Sequence, residues 1–209
     1  RETAPMLQLH ASAASPYVRK VRVAVRELGL DAEVEEIDTA TTPLGTDPRL
    51  ATVNPLGKIP ALVRDDGPAL YDSRVICRYL NARAGGALYP ESRIWEVATL
   101  EATADGILDA AVLMVYETRF RPEPHRSEDW LEAQWAKIAR ALDALGGRWM
   151  SHLSGRLDIG QIAVGCALGY LDFRHPERNW RQGRGALDDW FAVFAERPAM
   201  VATRPPAAV

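Results

Sequence analysis

The chain has 209 residues, 47% hydrophobic and 25% charged, which suits a globular protein with one large core or two small ones. A formal net charge of -3 excludes a nucleic-acid footprint, and the lack of any apolar run of 18 residues excludes a membrane-spanning helix. Cys77 and Cys166 lie far apart with no C-x-x-C, so neither a zinc pair nor a structural disulfide is expected; with no signal segment, the expected compartment is the cytoplasm. Arg1 to Pro5 read either as a tag remnant or as a native extension before Met6.

In chain order, Met6 to His10 alternate as a short strand. Val18, Val21, Val25 and Leu28 then recur at helical spacing. Pro16 takes the first helical position, where its missing N–H is harmless, and Gly29 ends the helix. Ala32 to Ile37 is the second predicted strand, and Thr39 to Pro48 is loop, followed by a helical turn near Arg49 to Val53. Ile59 to Val63 and Ala69 to Tyr71 form a hairpin around Asp65-Asp-Gly67. A helix from Ser73 carries Val75, Ile76, Tyr79 and Leu80 as its apolar stripe. Gly85 to Pro90 punctuates the chain, and all six Trp and all four Phe lie beyond residue 94. Beyond that point every pattern is helical: Ile94 to Phe120, then Leu131 to Leu145, Ile159 to Phe173 and Leu187 to Phe194. Pro122 and Pro124 stop the first of these. The fold class is α/β in the N-terminal domain (1–84, βαβ-ββα), a linker (85–91), and an all-α C-terminal domain (92–209).

Ser15 sits at a strand-to-helix switch. It reads as an N-cap, and its hydroxyl can also donate to an anion held at the positive end of the helix dipole. A thiolate is one such anion. Tyr71-Asp-Ser73 opens a second helix, where Ser73 reads as another N-cap. Alternatively Ser73 and the helix start suit a carboxylate while Asp72 suits an ammonium group. Lys58 can neutralise a second carboxylate, so the set fits a small peptide with two carboxylates and one amine. Lys58-Ile59-Pro60 is an edge or turn proline unless cis; a cis bond turns the Ile59 backbone groups outward. Asp158-Ile-Gly-Gln161 is a capping box with a folding role. The four histidines show no metal-ligand spacing, and the basic clusters Arg19 to Arg22 and Arg174 to Arg184 read as solvated faces.

These stretches resemble the cytosolic glutathione transferase family, as a serine-type, bacterial-like member. Ser15-Pro-Tyr-Val-Arg-Lys20, Asn54-Pro-Leu-Gly-Lys-Ile-Pro60, Tyr71-Asp-Ser73 and Asp158 to Ala163 match its landmarks in order and spacing. The resemblance implies a thioredoxin-like N-terminal domain, a cis Ile59–Pro60 bond and a homodimer. It implies glutathione as co-substrate, with no metal. Ile59 and Pro60 would hold its cysteinyl part, Asp72 and Ser73 its γ-glutamyl end, and Lys58 its glycyl carboxylate. Ser15 would stabilise the thiolate for attack on a small hydrophobic electrophile, with Ser12 in reserve. A pocket between the domains would be lined by Tyr17, Val112, Tyr116, Phe120 and Trp180. A non-catalytic regulatory relative, or a glutathione-dependent peroxidase or lyase, is the alternative.

Overall fold

A computed structural model describes residues 6–206, which form two compact units, 6–89 with 202–206, and 90–201. The two readings of Arg1 to Pro5 lie outside the described residues.

The first unit is built on a four-stranded sheet of order β2-β1-β5-β6. Strand β1 (Leu7–Ala11) leads into helix α1 (Pro16–Glu27), which returns the chain to β2 (Val34–Asp38), parallel to β1 with Leu7 opposite Val34. A parallel pair needs such a crossover, and the valines of α1 explain why it folds onto the core. Val18, Val21 and Val25 are at most 4% exposed, each worth about 1.5–3 kcal/mol of burial. Gly29 closes the helix at φ +69°. The second strand starts at Val34 rather than Ala32, because 31–33 form a turn. The expected loop contains a short ladder, β3 (Thr41–Thr42) against β4 (Gly45–Thr46). Helix α2 (Pro48–Val53) follows, capped by Asp47.

Strand β5 (Ala61–Arg64) runs antiparallel to both β1 and β6 (Gly67–Leu70). It starts two residues later than the pattern suggested, since Pro60 has no N–H to give the ladder. Helix α3 (Ser73–Arg83) packs beside α1. Its buried stripe is Ile76, Cys77 and Leu80; Val75 points outward at 47% exposure, so the expected stripe is rotated by about one position. Arg19 and Lys20, read as a solvated face, are 7% and 0% exposed, and the Arg19 guanidinium donates to Thr203 at 3.4 Å.

The second unit is helical throughout: α4 (Ile94–Phe120), α5 (Glu128–Arg148), α6 (Met150–Leu153), α7 (Ile159–Arg174), α8 (Gly185–Phe194) and α9 (Pro198–Ala202). Helices α4 and α7 are the central pair. Leu100, Ala104, Ile107 and Leu108 of α4 and Ile162, Ala163, Cys166 and Leu171 of α7 are all at most 1% exposed. Gly160 permits this approach, because a Cβ there would lie 2.9 Å from Leu100 Cδ2. The capping box is complete: Gln161 N–H donates to Asp158 Oδ1 (3.2 Å) and Asp158 N–H to Gln161 Oε1 (3.3 Å). Asp158 Oδ2 also meets His152 Nε2 at 2.7 Å, while the Gln161 amide donates to the carbonyls of His152, Leu153 and Gly155. The box therefore ties the start of α7 to the end of α6. Arg178, Arg181 and Arg184, read as a solvated face, are held in ion pairs with Glu132, Asp172 and Asp188, and Asp143.

Candidate glutathione site

The register of the sheet brings three predicted landmarks to one end. His10 pairs with Ala61 and Leu62 with Leu70, so the exit of β1, the entry of β5 and the exit of β6 are neighbours. The exit of β1 carries Ser12 to Ser15, the entry of β5 carries Lys58 to Pro60, and the exit of β6 carries Asp72 and Ser73. Adjacent strands are about 4.8 Å apart. Helices α1 and α3 both start at this end, so two positive dipole ends share it.

Each landmark is braced locally. Ser15 N–H donates to the Ser12 carbonyl at 3.1 Å, closing a turn over Ala13 and Ala14. Ser15 is extended (φ -79°, ψ 123°), and its Oγ accepts from Val18 N–H at 3.3 Å, which is the N-cap read from the sequence. That contact uses an oxygen lone pair, so the hydroxyl hydrogen remains available to give. Ser12 and Ser15 are both half-buried.

Lys58 is exposed, Ile59 half-buried and Pro60 buried, and the Ile59–Pro60 bond is cis. Buried Asn54 fixes the approach: its Oδ1 accepts from Leu56 N–H (3.0 Å) and its Nδ2 donates to the Lys58 carbonyl (2.8 Å). Gly57, at φ +62°, has no room for a side chain, since a Cβ would sit 2.5 Å from Thr46 Oγ1. Its carbonyl accepts from Thr41 Oγ1 at 2.8 Å. The short β3–β4 ladder thus holds the turn that presents Ile59. The sequence marks Asn54 as the start of this turn and landmark but did not reveal its bracing role, although Asn before Pro-x-Gly is itself a signal for a side-chain-braced turn.

At α3 the cap is Asp72, not Ser73: Asp72 Oδ1 accepts from Arg74 N–H at 3.0 Å, while Ser73 is the first helical residue and is 2% exposed. The Tyr71–Asp72 peptide is also cis. Arg74 pairs with Asp72 at 2.9 Å, a partner that sequence reasoning did not supply. Burial works against the Asp72 carboxylate, but the Arg74 guanidinium and N–H, with Arg74 and Lys20 as nearby positive charges, outweigh it and hold its pKa below the ordinary value. Asp72 is therefore a carboxylate fit to receive a cation.

His10 buttresses the strand exits. Thr39 Oγ1 donates to the Ile37 carbonyl (2.9 Å), so it accepts from His10 Nδ1 at 2.9 Å. Burial lowers the His10 pKa, Arg49 adds to this and Asp47 opposes it, which leaves a neutral ring bracing the turn.

The predicted electrophile residues fall differently. Tyr17 is half-buried on the first turn of α1. Val112, Tyr116 and Phe120 share one face of α4, with Tyr116 at 36% exposure and edge-on to Phe120 at 5.6 Å. Trp180 is a core residue: it is 1% exposed, donates its indole N–H to Asp172 Oδ1 at 2.7 Å, and meets Phe191 edge-on. A side chain so enclosed offers no wall to a ligand. Among the described residues no three His, Cys, Asp or Glu side chains gather as a metal site, and no helix is long and apolar enough to cross a membrane.

A βαβ-ββα unit whose first helix opens on a hydroxyl and whose third strand opens on a cis-proline defines a thioredoxin-like domain, here joined to a helical one. Residues 14–83 match the family model "Glutathione S-transferase, N-terminal domain", and residues 128–192 match "Glutathione S-transferase, C-terminal domain". A glutathione transferase family member from Pseudomonas fluorescens Pf-5, solved with bound glutathione, is 46% identical over 96% of this chain and 100% of its own, with a TM-score of 0.94. A second structure of a glutathione transferase family member from Pseudomonas fluorescens Pf-5 holds S-(propanoic acid)-glutathione, with 46% identity, the same coverage and a TM-score of 0.89. The GST-like protein YibF of Escherichia coli K12 is 34% identical, covering 97% of this chain and 100% of the relative. The chain belongs to the glutathione transferase family.

Proposed function

We propose that the chain is a glutathione transferase in which the Ser15 hydroxyl stabilises the glutathione thiolate for attack on a small hydrophobic electrophile. The observation that carries this reading is the state of Ser15: its oxygen accepts from Val18 N–H at 3.3 Å, leaving its hydrogen to point at an anion over the α1 N-terminus. Lys58 would neutralise the glycyl carboxylate, and the Ile59 backbone next to Pro60 would pair with the cysteinyl part. Ser73 N–H and hydroxyl would meet the γ-glutamyl carboxylate, and Asp72 its amine. In this reading residues 1–84 bind glutathione and 92–209 supply the acceptor site, with Tyr116 and Phe120 among its residues. Thiolate stabilisation and proximity to the acceptor supply the catalysis. The S-(propanoic acid)-glutathione held by the 46% identical neighbour makes a carboxylate-bearing thioether the product class to try first. A homodimer in the cytoplasm belongs to the same reading.

Calorimetric titration with glutathione, paired with a conjugation assay on a chlorodinitrobenzene acceptor, tests it. Saturable one-site binding and enzyme-dependent thioether formation are expected. Absence of binding would overturn the assignment, and binding without turnover would turn it into a glutathione-binding module.

A further inference from the structure

Two helices of the first unit open on the same pattern, an acid at the cap and an arginine two residues on: Asp47-Pro-Arg49 at α2 and Asp72-Ser-Arg74 at α3. At both, the carboxylate accepts from the arginine N–H and is held by the guanidinium. The difference is the residue between them. Pro48 has no N–H to offer, whereas Ser73 brings an N–H and a hydroxyl. Ser73 is 2% exposed, and among the described residues its hydroxyl makes no hydrogen bond.

Arg74 holds Asp72 by both oxygens. Oδ1 accepts from Arg74 N–H at 3.0 Å and from its Nε at 3.4 Å, and Oδ2 accepts from Nη2 at 2.9 Å. A carboxylate has about four lone-pair positions, so one remains, on Oδ2. The two side chains are 55% and 54% exposed, and a pair so exposed adds little to stability. Its effect is geometric. A two-point guanidinium contact fixes the plane of a carboxylate that would otherwise sample several rotamers. A ligand cation then meets an acceptor already oriented, and binding does not have to order it. Arg74 and, from α1, Lys20 also keep Asp72 ionised against burial. Because Arg74 offsets the Asp72 charge, a stray cation finds little net attraction here. What it finds is one acceptor in a fixed place.

We propose that Arg74 is a positioning residue for glutathione: it orients Asp72 so that the remaining Oδ2 lone pair receives the γ-glutamyl ammonium, which makes that ammonium a condition of tight binding. This rests on the transferase reading and deepens it, from a site that accommodates the γ-glutamyl end to one that reads its amine. The role is one of specificity and adds no bond-making step to the transfer.

The test titrates two peptides by calorimetry into the full chain: glutathione, and glutaryl-cysteinylglycine, which lacks only the amine. The wild type is expected to bind glutathione about tenfold tighter. Arg74→Gln should cut that ratio by about three- to tenfold while the glutaryl peptide binds as before. Arg74→Lys keeps the charge without the fork and should lose most of the same ratio. Arg49→Gln breaks the matching pair at α2 and should leave the ratio at the wild-type value. A wild-type ratio in Arg74→Gln, including an equal loss for both peptides, would reduce the pair to a surface contact and overturn the proposal. A higher ratio would make Arg74 a competitor of the amine, and a wild-type ratio in Arg74→Lys would make charge rather than geometry the cause; either overturns it. Equal affinities for the two peptides in the wild type would overturn it as well and leave the transferase reading standing. If glutathione itself does not bind, the transferase reading fails first and takes this one with it.

Discussion

Replacing Ser15 by Ala separates the cap that its oxygen forms from the donation to sulfur that we propose for its hydroxyl. The first is the cap. At 3.3 Å the Val18 bond is longer than the usual 2.9–3.0 Å, which places the loss at the low end of the N-cap range, about 0.5–1 kcal/mol. For a chain of this size that is about 1–4 °C in Tm. The second is the proposed donation to the sulfur. A hydrogen bond to a charged group contributes about 1.5–3 kcal/mol, and 1.36 kcal/mol is one pKa unit, so the bound thiol should rise by about 1–2 units toward the 8.5 of a free cysteine. It should not rise all the way, since the α1 N-terminus remains. The assay is ultraviolet absorbance of bound thiolate against pH in the wild type, Ser15→Ala and Ser12→Ala. Ser12→Ala should titrate like the wild type. A titration unchanged in Ser15→Ala, or shifted only in Ser12→Ala, would refute the assignment, whatever happens to Tm.

Three further outcomes follow from the bracing. Gly57→Ala drives a Cβ toward Thr46 at a positive φ, so glutathione affinity should fall at least tenfold by calorimetry, with a stability loss of about 1–3 kcal/mol in urea. Asp158→Ala removes the cap of α7 and leaves Gln161 N–H and His152 Nε2 without their acceptor; urea denaturation should show a loss of about 2–4 kcal/mol. Asp72 has a folded pKa below its unfolded value, so its contribution is present above pH 4 and disappears as pH falls through the lower folded value. Melting temperature followed from pH 6 to pH 2 should show this acid limb in the wild type and a weaker one in Asp72→Asn.

Much of the fold was legible because its signals are local. Valines three and four residues apart, Pro16 behind a capping serine, and Asp158 three residues before Gln161 each specify geometry within one turn. The cis-proline came from the family resemblance, not from any local pattern. What stayed hidden depends on partners distant in sequence. The β3–β4 ladder has only two residues on each side, too short for a period, and it matters because Thr41 reaches Gly57. Arg19 and Lys20 read as surface because charge suggests solvent, yet α1 turns them into the protein. Trp180 looked like a pocket aromatic because aromatic spacing does not say which face is closed; the turn after α7 folds it back so that its indole meets Asp172 of that helix. At the site, position along the chain indicated Ser15, Ile59 and Ser73, but the choice of Asp72 as the cap and Arg74 as its counter-ion is a matter of rotamers.

The placement of residues 202–206 with the first unit sets an order for synthesis. Thr203 is fully buried and accepts from Arg19, a contact between residues 184 positions apart. At about 5–20 residues per second, a ribosome takes roughly 10–40 s to bridge that distance. For most of that time the first unit has all its strands but lacks its final packing element, and the helical unit is completed, at residue 201, before that element appears. The half that appears first is therefore the half that finishes last, and a fragment cut at the linker would never finish it.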